Sequence, residues 1–158
     1  MGREIGRLLL ERGLTMATAE SCTGGTIASM VTAVAGSSAY FRGGVVSYAV
    51  GVKEQVLGVA IREGVVSEDT AHQMALGAAR VCGSDCAVAT TGVAGPGPSE
   101  GKPEGTVCIA AVRRINDETD GEKWTCETRT FCFKGGREDV ILQAADAALR
   151  LLSQIIAY

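Results

Sequence analysis

The residues best suited to chemistry begin with a serine in a glycine-rich turn. Ser21 lies in the segment Ala19-Glu20-Ser21-Cys22-Thr23-Gly24-Gly25, where a predicted strand runs into a predicted helix. Exposed amides at such a junction favour an anion or an oxyanion, and paired glycines let a ligand approach the main chain. Ser21 is therefore a candidate nucleophile. The alternative is that Ser21 or Thr23 is only the N-cap of the helix and that the glycines are required only for packing. The candidate substrate contacts in this turn are Glu20, Thr23, Gly24 and Gly25.

A serine is weakly nucleophilic until a base takes its proton. The only histidine, His72, falls in a predicted helix and is expected to be a partly exposed helix residue, so the available base is a lysine. Lys53 follows a predicted strand end, and a desolvated lysine can be neutral at pH 7. The alternative is that Lys53 is a solvated surface lysine. Glu20 could orient the lysine, hold the substrate or pair with a structural cation.

The cysteines allow two interpretations. Cys22 is a rival nucleophile or a redox-sensitive thiol, because a helix N-terminus lowers the pKa of a thiol, or else it is simply a buried small side chain. The other cysteines are expected to be reduced core thiols, since most lie in strand-like runs and no export signal accompanies them. Those in strand-like runs are Cys86, Cys108, Cys126 and Cys132. The spacing of cysteines and His72 does not assemble a zinc site, so we expect no metal.

Three segments are candidate neighbours, because ligands of open α/β sheets bind beyond the carboxyl ends of the strands. They are residues 20–25, 48–53 and 91–105. The third is a glycine- and proline-rich loop whose amides could cradle a phosphate, although the patterns of ATP and NAD sites are absent. Arg137, at the start of the last predicted helix, could clamp an anion with two parallel hydrogen bonds or be a solvated arginine. Thr90 and Thr91 could donate hydroxyl groups or serve only strand packing. The further candidate residues are Tyr48, Thr91, Gly92, Gly95 and Arg137.

The elements that must position these residues alternate between helices and strands. The predicted helices are 1–13, about 23–36, a short turn at 52–57, 67–83 capped by Ser67, and 137–156. The predicted strands are 15–20, 41–50, 85–92, 106–112 and 124–133, the last two joined by a polar turn at 116–122. Residues 85–92 are almost continuously apolar, as in a central strand covered on both faces. The pattern predicts an α/β fold with helices on both faces of a mixed sheet, and the last strand near its edge.

The composition limits the classes of partner. The 158 residues carry a net charge of −3, so the positive surface of a protein that grips a nucleic-acid backbone is missing. No apolar run approaches the roughly 20 residues that cross a bilayer, and the N-terminus does not read as a signal peptide. We expect one domain over residues 1–158, a cytoplasmic location, a small-molecule partner, and neither nucleic acid nor membrane as a partner.

Several segments taken together resemble the C-terminal domain of the competence/damage-inducible CinA family, which includes stand-alone nicotinamide mononucleotide amidohydrolases. The likeness runs from the first predicted helix to the last. The segments that carry it are residues 19–25, Gly36-Ser37-Ser38-Ala39-Tyr40-Phe41, Gly43-Gly44-Val45-Val46-Ser47-Tyr48, Lys53 with Leu57-Gly58-Val59, Gly64-Val65-Val66-Ser67-Glu68, Thr91-Gly92-Val93-Ala94-Gly95-Pro96, and Lys102-Pro103-Glu104-Gly105-Thr106-Val107.

The resemblance implies hydrolysis of the carboxamide of nicotinamide mononucleotide to nicotinate mononucleotide and ammonia. It implies that Ser21 is the nucleophile, that Lys53 is its general base with Tyr48 beside it, and that Arg137 contacts the substrate or its phosphate. It further implies a three-layer α/β/α fold with a mixed five-stranded sheet, assembly into homo-oligomers, a nucleotide as the small-molecule substrate, and no metal or organic cofactor.

Two departures from the family pattern lie near the proposed chemistry. Between Tyr48 and Lys53 the family commonly has a polar run, whereas residues 49–52 are Ala, Val, Gly and Val. Before Arg137 the family favours an aspartate where Gly136 stands. These changes are compatible with a shifted substrate, with a weaker enzyme, or with the alternative function of a non-catalytic nucleotide-binding or regulatory module of the same fold.

Overall fold

The computed structural model describes residues 1–115 and 121–157. These residues form five strands and five α-helices that alternate along most of the chain. The strands are β1 (Met16–Glu20), β2 (Phe41–Val46), β3 (Cys86–Gly92), β4 (Thr106–Ile115) and β5 (Lys123–Cys132). The helices are α1 (Gly2–Arg12), α2 (Thr26–Thr32), α3 (Val50–Leu57), α4 (Glu68–Cys82) and α5 (Arg137–Ala157), with a 3₁₀ turn at Ser37–Ala39.

The five strands form one mixed sheet in the order β2-β1-β3-β4-β5. The strands β2, β1 and β3 run parallel, and β4 and β5 complete the sheet as an antiparallel pair. Glu20 of β1 pairs with Val46 on one side and Thr90 on the other, so the carboxyl ends of all three parallel strands meet at one edge of the sheet. The predicted mixed sheet, the central β3 and the edge position of β5 are confirmed.

Two apolar cores cover the faces of the sheet and make three layers. The side chains of β3 alternate between them: Cys86 and Val88 pack with α1, α2 and α5, whereas Ala87 and Ala89 pack with α3 and α4. The second core is built mainly of alanine and valine, so its layers lie close together. Gly77 of α4 shows this, because a Cβ there would collide with the backbone of Leu57 at the end of α3.

The start of α2 differs from the expectation. The helix begins at Thr26 and not near Thr23, because Gly24 and Gly25 have positive φ angles of 56° and 104°. Left-handed backbone is incompatible with a right-handed helix, and glycine is the residue that adopts it without steric cost. The helix N-cap is Gly25, so neither Ser21 nor Thr23 has that role.

The strand β2 ends at Val46, four residues before its predicted end, and α3 begins at Val50. The apolar run that suggests a continuing strand instead leaves the sheet, and the carbonyl of Ala49 accepts hydrogen bonds from the amides of Val52 and Lys53. This early turn puts Lys53 in the first turns of a helix at the carboxyl edge of the sheet.

The remaining elements agree closely with prediction. The helix α4 has the predicted cap, with the Ser67 hydroxyl accepting the amide of Thr70, and it ends at Gly83 in left-handed backbone. The strand β4 continues three residues beyond its predicted end, to Ile115. Most of the polar turn predicted at 116–122 lies outside the described residues.

The cysteines are all free thiols, and only three of them are core residues. Cys22, Cys86 and Cys108 are buried, whereas Cys132 is exposed. The expectation of a core position is wrong for Cys132 because it is the last residue of the edge strand β5, none of whose residues is fully buried.

The helix α5 meets the length and composition that a membrane span requires, contrary to the expectation from the sequence. Most of its apolar residues, however, face the first core, whereas Leu142 is exposed. Ala144, Ala148 and Leu152 are fully buried there between the sheet, α1 and α2. This burial is the pattern of a core helix of a globular domain.

Candidate active site

A buried serine and lysine lie in contact at the carboxyl edge of the sheet. The Nζ atom of Lys53 donates a hydrogen bond to Oγ of Ser21 at 2.9 Å. It also donates to the carbonyl oxygens of Ser47 at 2.6 Å and Tyr48 at 3.1 Å. Lys53 is 0% exposed, so the expectation of a solvated surface lysine is wrong.

The local fold explains why a lysine is buried here. The connection from β2 to α3 turns two carbonyl groups towards Nζ, and Leu57, one helical turn after Lys53, anchors the same face of α3 in the second core. Burial removes the ammonium from water, and this loss of solvation lowers the pKa of Lys53. In the part of the chain that the structure describes, no carboxylate lies within ion-pair distance of Nζ to oppose that shift.

The three acceptors around Nζ match the three N–H groups of an ammonium ion, and the same arrangement also accommodates a neutral amine. A neutral lysine has two N–H groups and one lone pair, and the carbonyls of Ser47 and Tyr48 can take both N–H groups. When the amine is neutral, its lone pair faces Oγ of Ser21, and the direction of this hydrogen bond reverses so that the serine donates. This geometry lets Lys53 remove the serine proton without a histidine.

The Ser21–Lys53 pair opens into a cavity of about 300 Å³. Six of the predicted site residues line it: Ser21, Tyr48, Lys53, Thr91, Gly92 and Arg137. The lining also includes Cys22, the apolar side chain of Val50, and two loops, 60–67 and 93–105, that the sequence did not bring together. The expectation that the carboxyl ends of the strands form the crevice agrees with this placement.

Glu20 does not line the cavity. Its Oε1 accepts hydrogen bonds from the Thr23 hydroxyl at 2.7 Å and the Ile27 amide at 2.8 Å, and its Oε2 accepts from the Ala28 amide at 3.0 Å. The carboxylate therefore occupies the N-terminus of α2, the place where the sequence suggested a ligand anion. Glu20 caps a helix, and the structure gives no contact between it and Lys53.

The rest of the glycine-rich turn also faces away from the cavity. The Thr23 hydroxyl contacts Glu20 and the Thr90 hydroxyl, at 2.7 and 2.8 Å. Gly24 and Gly25 form the backbone turn and do not line the cavity. None of the predicted substrate contacts in residues 19–25 lines the cavity. In this segment only Ser21 and Cys22 do so.

Arg137 joins three segments at the rim of the cavity. Its Nη1 donates to the Gly95 carbonyl at 2.6 Å, and its Nη2 donates to the Tyr48 hydroxyl at 2.9 Å. Gly95 thus enters the site through its carbonyl and not as a lining residue. The guanidinium has five N–H donors, so it retains donors for an anion at the cavity mouth.

Cys22 has the opposite character to a reactive thiol. It is 6% exposed, and burial is the main cause that raises its pKa to about 11. The nearby Glu20 carboxylate acts in the same direction. The expected lowering of the thiol pKa by a helix N-terminus does not occur, because α2 begins four residues after Cys22. The amides of Ile27 and Ala28 at its start already donate to Glu20. Cys22 is therefore a protonated thiol at neutral pH.

Glu100 is a cavity residue that the sequence did not single out. Its carboxylate accepts the amides of Val65 and Val66 at 2.9 and 2.7 Å, and the Thr91 hydroxyl donates to the Val65 carbonyl at 2.9 Å. These bonds hold loop 60–67 as a wall of the cavity. An acidic residue in a long loop gives only weak evidence of function, and no sequence pattern predicts that Glu100 contacts the amides of Val65 and Val66.

Metal-binding side chains do not cluster anywhere in residues 1–115 and 121–157. No group of three or more histidine, cysteine, aspartate or glutamate side chains could hold an ion there. His72 lies on α4 and is half-buried, away from the cavity lining.

Comparison with known proteins gives consistent matches along the whole chain. The family model of the CinA C-terminal domain matches residues 1–156. A CinA-like protein of Chlorobium phaeobacteroides is 47% identical over 150 residues, and one of Geobacter sulfurreducens has the same identity; the matches cover 92% of this chain. The chain spans about a third of the length of these two relatives, 34% in each case.

A shorter relative matches over nearly its full length. The protein named nicotinamide-nucleotide amidohydrolase PncC, from Escherichia coli, is 41% identical over 159 residues, which is 98% of this chain and 92% of the relative. The crystal structure of the competence damage-inducible protein A of Klebsiella pneumoniae superposes with a TM-score of 0.89 at 36% identity, covering 99% of this chain and 95% of that one. The crystal structure of the competence/damage inducible protein CihA of Agrobacterium tumefaciens superposes with a TM-score of 0.87 at 36% identity, covering 99% of this chain and 93% of that one.

Proposed function

The chain belongs to the CinA C-terminal domain family, and on that premise we propose that it hydrolyses nicotinamide mononucleotide to nicotinate mononucleotide and ammonia. The observation that carries the proposal is the 2.9 Å contact between Lys53 Nζ and Ser21 Oγ at the base of a cavity. The name of the Escherichia coli relative, which matches over nearly the full length of both chains, supports the choice of substrate.

In the first step Ser21 attacks the carboxamide. Its Oγ bonds to the carbonyl carbon while Lys53 Nζ takes the hydroxyl proton. The carbonyl oxygen becomes an oxyanion, which needs hydrogen-bond donors. Cys22 follows the nucleophile and lines the same cavity, and its backbone amide donates to no backbone carbonyl within the described chain, so we assign this amide as a donor for the oxyanion.

In the second step the C–N bond breaks. The lysine ammonium returns its proton to the leaving nitrogen, ammonia departs, and an ester joins the nicotinoyl group to Ser21. Water then attacks the ester with Lys53 again as base, which releases the carboxylic acid and restores the serine hydroxyl. The same nitrogen atom of Lys53 serves both half-reactions, so no second acid or base is required.

Arg137 has the position and charge to bind the phosphate. It lies on the rim of the cavity that holds the reacting pair, and its contacts to Gly95 and the Tyr48 hydroxyl fix its guanidinium. A guanidinium held in this way presents its remaining N–H groups to phosphate oxygens with little further loss of side-chain entropy.

The direct test is to incubate the purified protein with nicotinamide mononucleotide and quantify ammonia and nicotinate mononucleotide. The proposal expects the two products in equal amounts, with slower turnover of nicotinamide riboside, which lacks the phosphate that Arg137 binds. Tight binding by calorimetry without either product would instead favour the non-catalytic nucleotide-binding module. Release of ammonia from the riboside and the mononucleotide at equal kcat/KM would contradict the role of Arg137.

A further inference from the structure

Glu100 places a negative charge on the wall of the cavity. Its Oε2 accepts the Val65 amide at 2.9 Å, and its Oε1 accepts the Val66 amide at 2.7 Å. These two hydrogen bonds lower the pKa of the carboxyl group, so it is ionised at neutral pH. Each oxygen uses one acceptor position for an amide and keeps another free.

The charge of Glu100 has no ion-pair partner in the described chain. Lys102 is near enough to stabilise the carboxylate, yet no lysine or arginine nitrogen in residues 1–115 or 121–157 lies within 4.0 Å of it. Arg137, the cation on the same cavity, directs its guanidinium to Gly95 and Tyr48 instead. Besides the buried Lys53, the cavity lining therefore presents one negative group without an ion pair, Glu100, and one positive group at the rim, Arg137.

The charges of the proposed substrate have the complementary arrangement. Nicotinamide mononucleotide carries a permanent positive charge on the pyridinium ring and a negative charge on the phosphate. We propose that Glu100 selects the positively charged pyridinium ring while Arg137 binds the phosphate. This inference rests on the proposed function, and it names the chemical class that the site prefers: cationic pyridinium carboxamides over neutral aromatic carboxamides of the same shape.

A structural role for Glu100 makes a different prediction. The carboxylate also holds loop 60–67 against the cavity, a task it shares with Thr91, whose hydroxyl donates to the Val65 carbonyl. Loss of the loop contact alone would weaken every ligand by a similar factor. Loss of the charge would weaken only the cationic ligand, so a ratio of two affinities separates the two roles.

The experiment compares nicotinamide mononucleotide with its phenyl C-nucleotide, in which a benzene carbon replaces the ring nitrogen and the carboxamide, ribose and phosphate are unchanged. Dissociation constants are measured by calorimetry in a Ser21→Ala background, so that turnover does not interfere. We expect the pyridinium ligand to bind about tenfold more tightly, the effect of one partly solvated charge pair. Glu100→Gln is expected to reduce this ratio to about one.

Thr91→Val is the matched control, because it loosens the same loop without changing a charge. It is expected to weaken both ligands and leave their ratio near tenfold. An unchanged ratio in Glu100→Gln overturns the inference. The inference is likewise overturned if the effect of Glu100→Gln on this ratio of dissociation constants appears only with ligands that lack the ribose 2′-hydroxyl. Glu100 would then be assigned to the sugar. Failure of the wild-type protein to hydrolyse nicotinamide mononucleotide is a separate result and would overturn the proposed function itself.

Discussion

At the scale of single residues, the environment of Lys53 decides whether the pair with Ser21 can react. A surface lysine is charged at neutral pH and cannot accept a proton, whereas the buried Nζ of Lys53 has only neutral acceptors around it and a lowered pKa. The sequence indicated Lys53 as a base by elimination of the histidine. Its burial could not be predicted, because the helix that buries it begins inside a run that reads as strand.

The pH dependence of catalysis follows from this environment. Below the pKa of Lys53 the amine is protonated and cannot take the Ser21 proton, so kcat/KM is expected to fall about tenfold per pH unit and to level off above that pKa. The profile is measured by ammonia release, with nicotinamide riboside as a second substrate that lacks a titrating phosphate. Activity that rises towards acid pH would contradict Lys53 as the base.

The same lowered pKa couples to folding. At pH values between the folded-state pKa of Lys53 and its ordinary value of 10.5, the unfolded chain binds a proton that the folded chain releases. The free energy of unfolding therefore increases as the pH rises through this range and decreases as the pH falls. In urea titrations at several pH values, the stability of the wild type relative to Lys53→Met is expected to increase with pH, by at most about 1.4 kcal/mol per unit. A difference independent of pH would show that the pKa of Lys53 is not shifted.

Cys22 is expected to react slowly with thiol reagents. With a pKa of about 11, it is almost entirely protonated at pH 8, and the thiol is also buried. Mass spectrometry after iodoacetamide treatment of the native protein should show slower labelling of the Cys22 peptide than of the peptide that contains the exposed Cys132. Faster labelling of Cys22 would revive the interpretation of a redox-sensitive thiol.

At the scale of the elements, the glycine-rich turn and α2 depend on Glu20. The carboxylate joins the end of β1 to the first amides of α2 and to the Thr23 hydroxyl. Sequence spacing located the turn correctly but assigned this carboxylate to the substrate. Which way a side chain points at a strand end depends on where the following helix starts, and here two left-handed glycines delay that start.

Glu20→Gln is expected to lower the free energy of unfolding by about 1–3 kcal/mol, because the buried amides and the helix N-terminus lose their charged acceptor. The matched control is Glu11→Gln, which removes an exposed ion pair with Arg7 and is expected to cost less than about 0.5 kcal/mol. Urea denaturation gives both values. If Glu20→Gln instead abolished catalysis with no loss of stability, Glu20 would act on the substrate and not on the helix.

The element boundaries show where sequence patterns are reliable. The helix α4 was located correctly because Ser67 and Gly83 mark its two ends with specific hydrogen bonding and backbone geometry. The end of β2 was misplaced because apolar residues at an edge strand and in the first turn of α3 look alike. The strand and the helix are distinguished by the burial of Lys53 and Leu57 in α3, and these residues lie later in the chain than the apolar run.

At the scale of the whole molecule, the alternation of helices and strands predicted the layers, and the rule for open α/β sheets predicted the edge where the site lies. The pairing of loop 60–67 with loop 93–105 could not be predicted. It depends on Glu100 reaching two backbone amides 34 and 35 residues away in sequence, and no local pattern encodes such a contact. The sequence therefore singled out the two residues that form the Ser21–Lys53 contact, but not the loops that wall the cavity.

The assembly implied by the family resemblance stays a prediction. The chain spans about a third of the length of its CinA-like relatives and nearly all of its Escherichia coli relative, so the isolated domain is the appropriate unit for the catalytic tests. Catalysis as proposed needs only residues of one chain, because Ser21, Lys53 and Arg137 line one cavity.

The most direct test of Ser21 as the nucleophile is ammonia release from nicotinamide mononucleotide by the wild type, Ser21→Ala and the neighbouring control Cys22→Ala. Ser21→Ala is expected to lose at least about a thousandfold in kcat/KM while its circular dichroism and thermal unfolding stay those of a folded protein. Cys22→Ala is expected to remain within about threefold of the wild type, because its thiol takes no part in the proposed steps. Full activity in Ser21→Ala, or its loss only in Cys22→Ala, would contradict the assignment of the nucleophile.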